Sequence, residues 1–125
     1  MTARRREAAL GDVVDLAHLG RYTMGDEALE MELLGMFDGQ LEEIATALER
    51  AGSDKKAWRL AAHTLKGAAR AIGAFPLART AQALEEAGPE APRALREELK
   101  RRAEAFHHAW AAWRDARQEQ RRAAG

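Results

Sequence analysis

Residues 55–72 read KKAWRLAAHTLKGAARAI, a run without proline that follows Gly52-Ser53-Asp54 and stops at Gly73. Ala, Leu, Lys and Arg lose little freedom in a helix. Asp54 can cap the first free amides, and a glycine just past the end suits a left-handed helix stop. The stretch therefore predicts a helix from about Lys55 to Ile72. With Leu65 as origin and about 100° per residue, Trp58, Ala61, Ala62, Ala68, Ala69 and Ile72 all fall within roughly 60° of it. A helix with one apolar face of this width must bury it against other elements.

Those elements can be read on both sides. Upstream, Asp26 is a plausible N-cap for a long helix reaching about Ala51, with Leu29, Leu33, Phe37, Leu41, Ile44 and Leu48 as its apolar stripe and an acidic opposite face. Before it, residues 12–19 suit a short helix, followed by a turn around Gly20 to Gly25. Downstream, Pro76 fits the first turn of a helix to about Ala87, turning Leu77, Ala81 and Leu84 inward. GPEAP at 88–92 breaks the chain, and a last long helix then carries Leu95, Leu99, Ala103, Phe106, Trp110 and Trp113 before a basic tail at Arg121 and Arg122. No internal repeat and no alternating Val/Ile/Thr run argues for anything else. The expected fold is all-α: an antiparallel up-and-down four-helix bundle with a short additional N-terminal helix. It forms a single domain over 1–125, its core at about 12–118, with Trp58, Leu65, Ile72, Phe37, Phe106 and Trp110 buried.

Composition narrows the function. The chain has 125 residues, 20 Lys plus Arg against 20 Asp plus Glu, and no cysteine. That size suits one compact domain. Zero net charge gives no global reason for nucleic-acid binding, and the missing thiols exclude disulfides, thiolate metal sites and thiol nucleophiles. The N-terminus lacks the apolar run of a secretory signal, and no stretch approaches the ~20 apolar residues of a membrane span. A cytoplasmic protein without membrane attachment is expected, and nothing in the bundle requires a second copy, so a monomer.

The informative electrostatics are local. His63 lies at roughly 160° from Leu65, on the solvent side, with Arg59, Lys66, Gly67 and Arg70 between roughly 100° and 200° on the same wheel. From Lys55 to Leu84 there are six basic residues and no acidic one. Cations around an imidazole favour its neutral, nucleophilic form and would stabilise an anionic group attached to it. Gly67, one turn beyond His63, costs about 1 kcal/mol relative to Ala inside a helix, and it removes a side chain that would shield the ring. Leu60 lies beside the basic face and is expected to form part of an exposed apolar docking patch. Each feature has a plain reading: a solvated histidine, a basic face paired with the acidic second helix, a glycine that permits close packing. Their coincidence in HTLKGAARAIGA favours a functional one.

Residues 60–85, LAAHTLKGAARAIGAFPLARTAQALE, resemble the histidine phosphotransfer (HPt) family, whose hallmark is a histidine followed by x-L-K-G and, a short interval later, G-A-x-x-L. His63, Leu65, Lys66, Gly67, Gly73, Ala74 and Leu77 match that pattern. Leu84-Glu85 is similar to its usual continuation. The phenylalanine-centred helix before it also resembles the family, so the likeness covers roughly 12–90, and beyond Pro92 only the helical pattern agrees. One departure is Ala68 and Ala69, positions that are often serine in the family. The resemblance implies a phosphoryl carrier in which His63 takes the group from the phospho-aspartate of one response-regulator receiver domain and passes it to another. Lys66 would steady the phosphoryl oxygens and Gly67 would leave room for the receiver. Helical geometry adds Arg59 and Arg70 as electrostatic support.

The same resemblance implies receiver domains and a hybrid histidine kinase as partners, no cofactor of its own, and Mg²⁺ supplied on the receiver. The chain has no GxxxxGK[ST] or kinase-like glycine-rich segment, so it is not expected to be an enzyme on its own. Two other readings differ in class. One is a non-phosphorylated adaptor that binds a receiver or kinase without transfer. The other is a metal protein using His18, His63, His107 and His108, which adjacent rather than i,i+4 histidines at 107 and 108 disfavour. The stripe of Phe106, Trp110 and Trp113 reads as core.

Overall fold

The computed structural model describes residues 9–125, so the expected single domain of 1–125 includes eight residues outside the described ones. A helical turn over 9–13 leads into α1 (Leu16–Thr23), α2 (Glu27–Ala51), α3 (Lys55–Ile72), α4 (Phe75–Ala87), a 3-10 turn (Gly88–Glu90) and α5 (Arg93–Ala124), with no strand among the described residues. The fold is all-α, as expected. The starts are set by capping carboxylates. Asp15 accepts from His18 N, Asp26 from Leu29 N, and Asp54 from Lys56 N and Ala57 N; each such cap is worth about 1 kcal/mol. α3 ends in a Schellman arrangement: Gly73 takes φ 85°, its N–H reaches Arg70 O, and Ala74 N reaches Ala69 O at 2.8 Å.

The helices pack as a closed ring, α2 on α3, α3 on α4, α4 on α5 and α5 back on α2. α2 and α5 run antiparallel, since Gly35 lies against Trp110, Asp38 meets His107 and Glu27 meets Arg117. Phe37 and Phe106 meet edge-to-face at 5.0 Å in the middle of that pair. Trp58 Nε1 donates to Leu84 O at 2.7 Å, satisfying a polar atom inside the α3–α4 interface. Trp58, Leu65, Ile72, Phe37, Phe106 and Trp110 are all buried, and Leu10 joins the core ahead of residue 12. Each large side chain removed from water in this way contributes roughly 1.5–3 kcal/mol before entropy is counted.

Four expectations are corrected. The helix placed at 12–19 is broken at Val14–Asp15 and resumes as α1 through Gly20, confining the following turn to Met24 (φ 56°) and Gly25 (φ 79°). The break arises because Asp15 caps α1 with its carboxylate while its own N–H donates to Gly73 O at 2.9 Å, stitching α1 to the end of α3. On α2, Leu29, Leu33 and Ile44 are half-buried and Leu34 takes a fully buried position. A helix wedged between two neighbours buries a wider, shifted arc than a single stripe of threes and fours describes. Ala68, at the edge of the α3 face, is likewise half-buried. At the C-terminus, Arg121 and Arg122 belong to α5, which continues to Ala124.

At Gly73, an added Cβ would stand 3.0 Å from Asp15 O and 3.2 Å from the His18 ring, in a backbone conformation L side chains rarely adopt. Gly73→Ala is expected to cost about 1–3 kcal/mol, measured as a lower midpoint in denaturant unfolding; an unchanged midpoint would remove the α1–α3 junction from the account of stability.

Candidate functional site

α3 turns one stripe of its surface to solvent because the opposite stripe is buried: Leu65 is 0 % exposed, whereas the His63 side chain is 66 % exposed. Arg59, Leu60, Gly67 and Arg70 share the open stripe, with Leu60 at 68 % exposure. A Cβ built at Gly67 meets nothing within 4 Å. Close packing inside the chain therefore does not account for this glycine, in contrast to Gly35, where the same atom would stand 3.2 Å from Trp110.

Lys66 departs from the stripe. At about 100° from Leu65 it sits on the flank facing α4, and its ammonium donates to Glu85 Oε1 at 2.6 Å, with the side chains only 17 % and 19 % exposed. The other oxygen of the same carboxylate, Oε2, lies 3.2 Å from His63 Nδ1. The surroundings made only of cations, read from residues 55–84, are therefore not what the fold builds: a carboxylate from α4 lies against both His63 and Lys66. Glu85 stands one residue past that acid-free run. The signal for it was its place beside Leu84, which turns inward, on a helix that must return antiparallel along α3.

The arrangement has a definite chemistry. The Lys66 ammonium, by donating to it, holds the Glu85 carboxyl below its usual 4.5; partial burial opposes the shift and the His63 contact adds to it. A carboxylate is acceptor-only, so the hydrogen bond assigns the proton of a neutral His63 ring to Nδ1. The lone pair then lies on Nε2, which has no protein partner among the described residues. Arg70 is tied back to α4, donating to Gln82 Oε1 at 2.9 Å, while Gln82 donates to Glu86 at 3.0 Å. Arg59 stays exposed one turn before His63.

The remaining histidines lie elsewhere. His18 packs its Nε2 against Ala71 O at 3.2 Å and its ring edge-on to Phe75. His107 Nδ1 is held by both Asp38 oxygens at 2.9 and 3.0 Å, with His108 beside it. Among the described residues no three His, Cys, Asp or Glu side chains converge as a metal site would need. His107–Asp38 repeats the pairing of His63 with Glu85, but it borders a groove whose α2 rim carries Asp38, Glu42 and Glu49. An anion would meet carboxylates on that side, although Arg93, Arg96 and Lys100 line the α5 side.

The family model described as the Hpt domain matches residues 27–119. The chain belongs to the Hpt domain family. Hpt domains are histidine phosphotransfer modules of two-component systems, phosphocarriers rather than catalysts. The match runs from the start of α2 through most of α5, so it carries the likeness past Pro92 and begins at α2 rather than near residue 12. No curated protein and no solved structure matches the chain significantly. No described helix is long and apolar enough to cross a membrane.

The lowered Glu85 pKa makes a stability prediction. Its pair with Lys66 contributes fully above the unfolded carboxyl value and is lost as pH falls through the lowered folded value. The difference in melting temperature between the parent and Glu85→Gln should therefore be constant around neutrality and shrink below about pH 4. Thermal melts of both proteins across pH 2.5–8 check this, and a gap that widened in acid would contradict the pairing.

Proposed function

We propose that this Hpt domain relays a phosphoryl group between receiver-domain aspartates through Nε2 of His63. The observation that carries the reading is the Nδ1 contact with Glu85, which leaves the Nε2 lone pair facing solvent in the middle of an open, cationic helix face. In transfer to this chain, Nε2 attacks the phosphorus of a phospho-aspartate, the P–O bond breaks with its electron pair on the aspartate oxygen, and the proton stays on Nδ1, donated to the Glu85 carboxylate. No acid or base is consumed, so positioning and charge supply the catalysis. Lys66, three residues on from His63, has three ammonium donors and would bond the phosphoryl oxygens as their charge shifts while still donating to Glu85. Arg59 and Arg70 would add to the positive field that draws an acidic receiver face. Leu60 supplies apolar contact, and Gly67 leaves the approach clear. Mg²⁺ and the acidic pocket belong to the receiver, and a hybrid histidine kinase would supply the phosphoryl group at the head of the relay. Such a carrier acts as a monomer in the cytoplasm.

Incubation with phosphorylated receivers, followed by localisation of acid-labile, base-stable phosphate, tests the reading. His63→Gln should abolish labelling while changing stability by no more than ~0.5 kcal/mol; His18, His107 and His108 should be replaceable. Receiver binding without any phosphate on His63 would make the chain a non-phosphorylated adaptor.

Lys66 and Gly67 should fail differently when replaced. Lys66→Ala should slow single-turnover transfer on the order of 10²-fold and, by leaving Glu85 without its cation, also lower the melting temperature. Gly67→Arg should weaken receiver affinity while matching or exceeding the parent's stability, because it relieves about 1 kcal/mol of glycine cost in open space. Undiminished transfer in Gly67→Arg would show that the receiver docks elsewhere.

A further inference from the structure

Glu85 faces the ring nitrogen opposite the one that would be phosphorylated, and that placement matters most after the phosphoryl group has arrived. When the Nε2–P bond breaks, its electron pair stays on Nε2. If Nδ1 is protonated, the leaving group is neutral imidazole; if Nδ1 is bare, it is imidazolate, a far stronger base and a poorer leaving group. The proton on Nδ1 therefore governs how long the phosphorylated ring lasts. We propose that Glu85, by holding the proton on Nδ1 of phosphorylated His63, sets a short phosphoryl lifetime and makes this domain a fast transmitter rather than a phosphoryl store. The inference rests on His63 being the acceptor.

The charges around the ring support it. On α3 the ring has Lys66, Arg59 and Arg70 for neighbours; on α4 it has Glu85 and, further along, Gln82 and Glu86. Lys66 spends its charge on Glu85 at 2.6 Å, and Arg70 is bonded to Gln82, which in turn is bonded to Glu86. Arg59 extends into solvent. Among the described residues, the charged group within hydrogen-bond distance of Nδ1 is the Glu85 carboxylate, at 3.2 Å. Lys66 keeps that carboxyl ionised and oriented, so it remains an acceptor throughout the neutral range. A negative charge at this distance favours the protonated form of its partner.

The chemistry balances without a co-reactant other than water or the acceptor carboxylate. In hydrolysis a water oxygen forms the new P–O bond, the N–P bond breaks with its pair on Nε2, and the water proton leaves to solvent. The products are inorganic phosphate and a neutral ring whose Nδ1–H still donates to Glu85. In transfer outward an aspartate oxygen replaces the water, and no proton moves. The same bond breaks in both, so Glu85 should hasten both.

The test needs no partner protein. Parent, Glu85→Gln and Lys66→Met are phosphorylated with phosphoramidate, and loss of the phosphohistidine signal is followed by ³¹P NMR between pH 6 and 9. Glu85→Gln keeps the shape and an amide acceptor while removing the charge. Its phosphohistidine should last about tenfold longer at mildly alkaline pH, with the fall of rate against pH displaced to lower pH. Lys66→Met, which leaves the Glu85 charge uncompensated, should displace the profile in the opposite direction. A merely structural role would change the rates without moving either midpoint in this way. Coincident pH profiles for parent and Glu85→Gln would overturn the proposal, as would a downward displacement in Lys66→Met should Glu85→Gln fail to fold. Phosphate retained in His63→Gln would instead overturn the assignment of the acceptor itself.

Discussion

Burial of Leu65 at 0 % exposure, together with Trp58, Ala62 and Ala69, fixes the rotation of α3 about its own axis, and the properties of the His63 face follow from that rotation. A turn of the helix by one residue would move about 100° of its circumference, carrying His63 toward the core and exposing Leu65. The core thus holds the imidazole outward without touching it. The alanines matter as much as the leucine. Ala62 and Ala69 lie on the Lys66 side of the buried α3 face, the buried positions of α4 include Ala78 and Ala81, and small residues on both helices let them approach closely. A glutamate side chain of ordinary length can then reach two partners on the neighbouring helix at once.

That reach converts a neutral protein into a locally organised charge system. Glu85 neutralises Lys66 and orients His63 with the two oxygens of one carboxylate, both contacts lying at the foot of an otherwise exposed stripe. The pair His107–Asp38 shows what such a contact does not accomplish alone. There too a carboxylate holds Nδ1, at 2.9 Å. Yet among the described residues no lysine shares that carboxylate, and the α2 side of the neighbouring groove is acidic. A carboxylate fixes the tautomer of a ring; a cation and an unobstructed approach are needed before the opposite nitrogen can hold an anion.

The parts of this design that were legible in the amino-acid string are those set by local rules. Asp26, Asp54 and Gly73 mark helix ends through hydrogen bonds within a few residues of themselves, and the α3 wheel separates Leu65 from His63 by geometry alone. What escaped depends on how one helix slides and tilts against another. Glu85 could not be placed beside His63 from its own wheel, because its partner is set by the register of α4 along α3. The same holds for Leu34, buried because α2 has two neighbours, and for the break at Asp15, whose N–H is claimed by Gly73 from a distant part of the chain.

Three glycines separate internal from external constraint. Gly73 is demanded by a left-handed φ and by the backbone of Asp15; Gly35 leaves room for the Trp110 ring. Both have causes inside the fold. Gly67 has neither: it lies in the interior of α3 with ordinary helical geometry and open space where a Cβ would stand. An alanine there would fit and would stabilise the helix by about 1 kcal/mol, so nothing within the chain explains the glycine. Its one distinguishing circumstance is position, a single turn beyond the exposed ring of His63. In the proposed relay that opening would serve a receiver approaching from solvent, along the face on which Nε2 lies open.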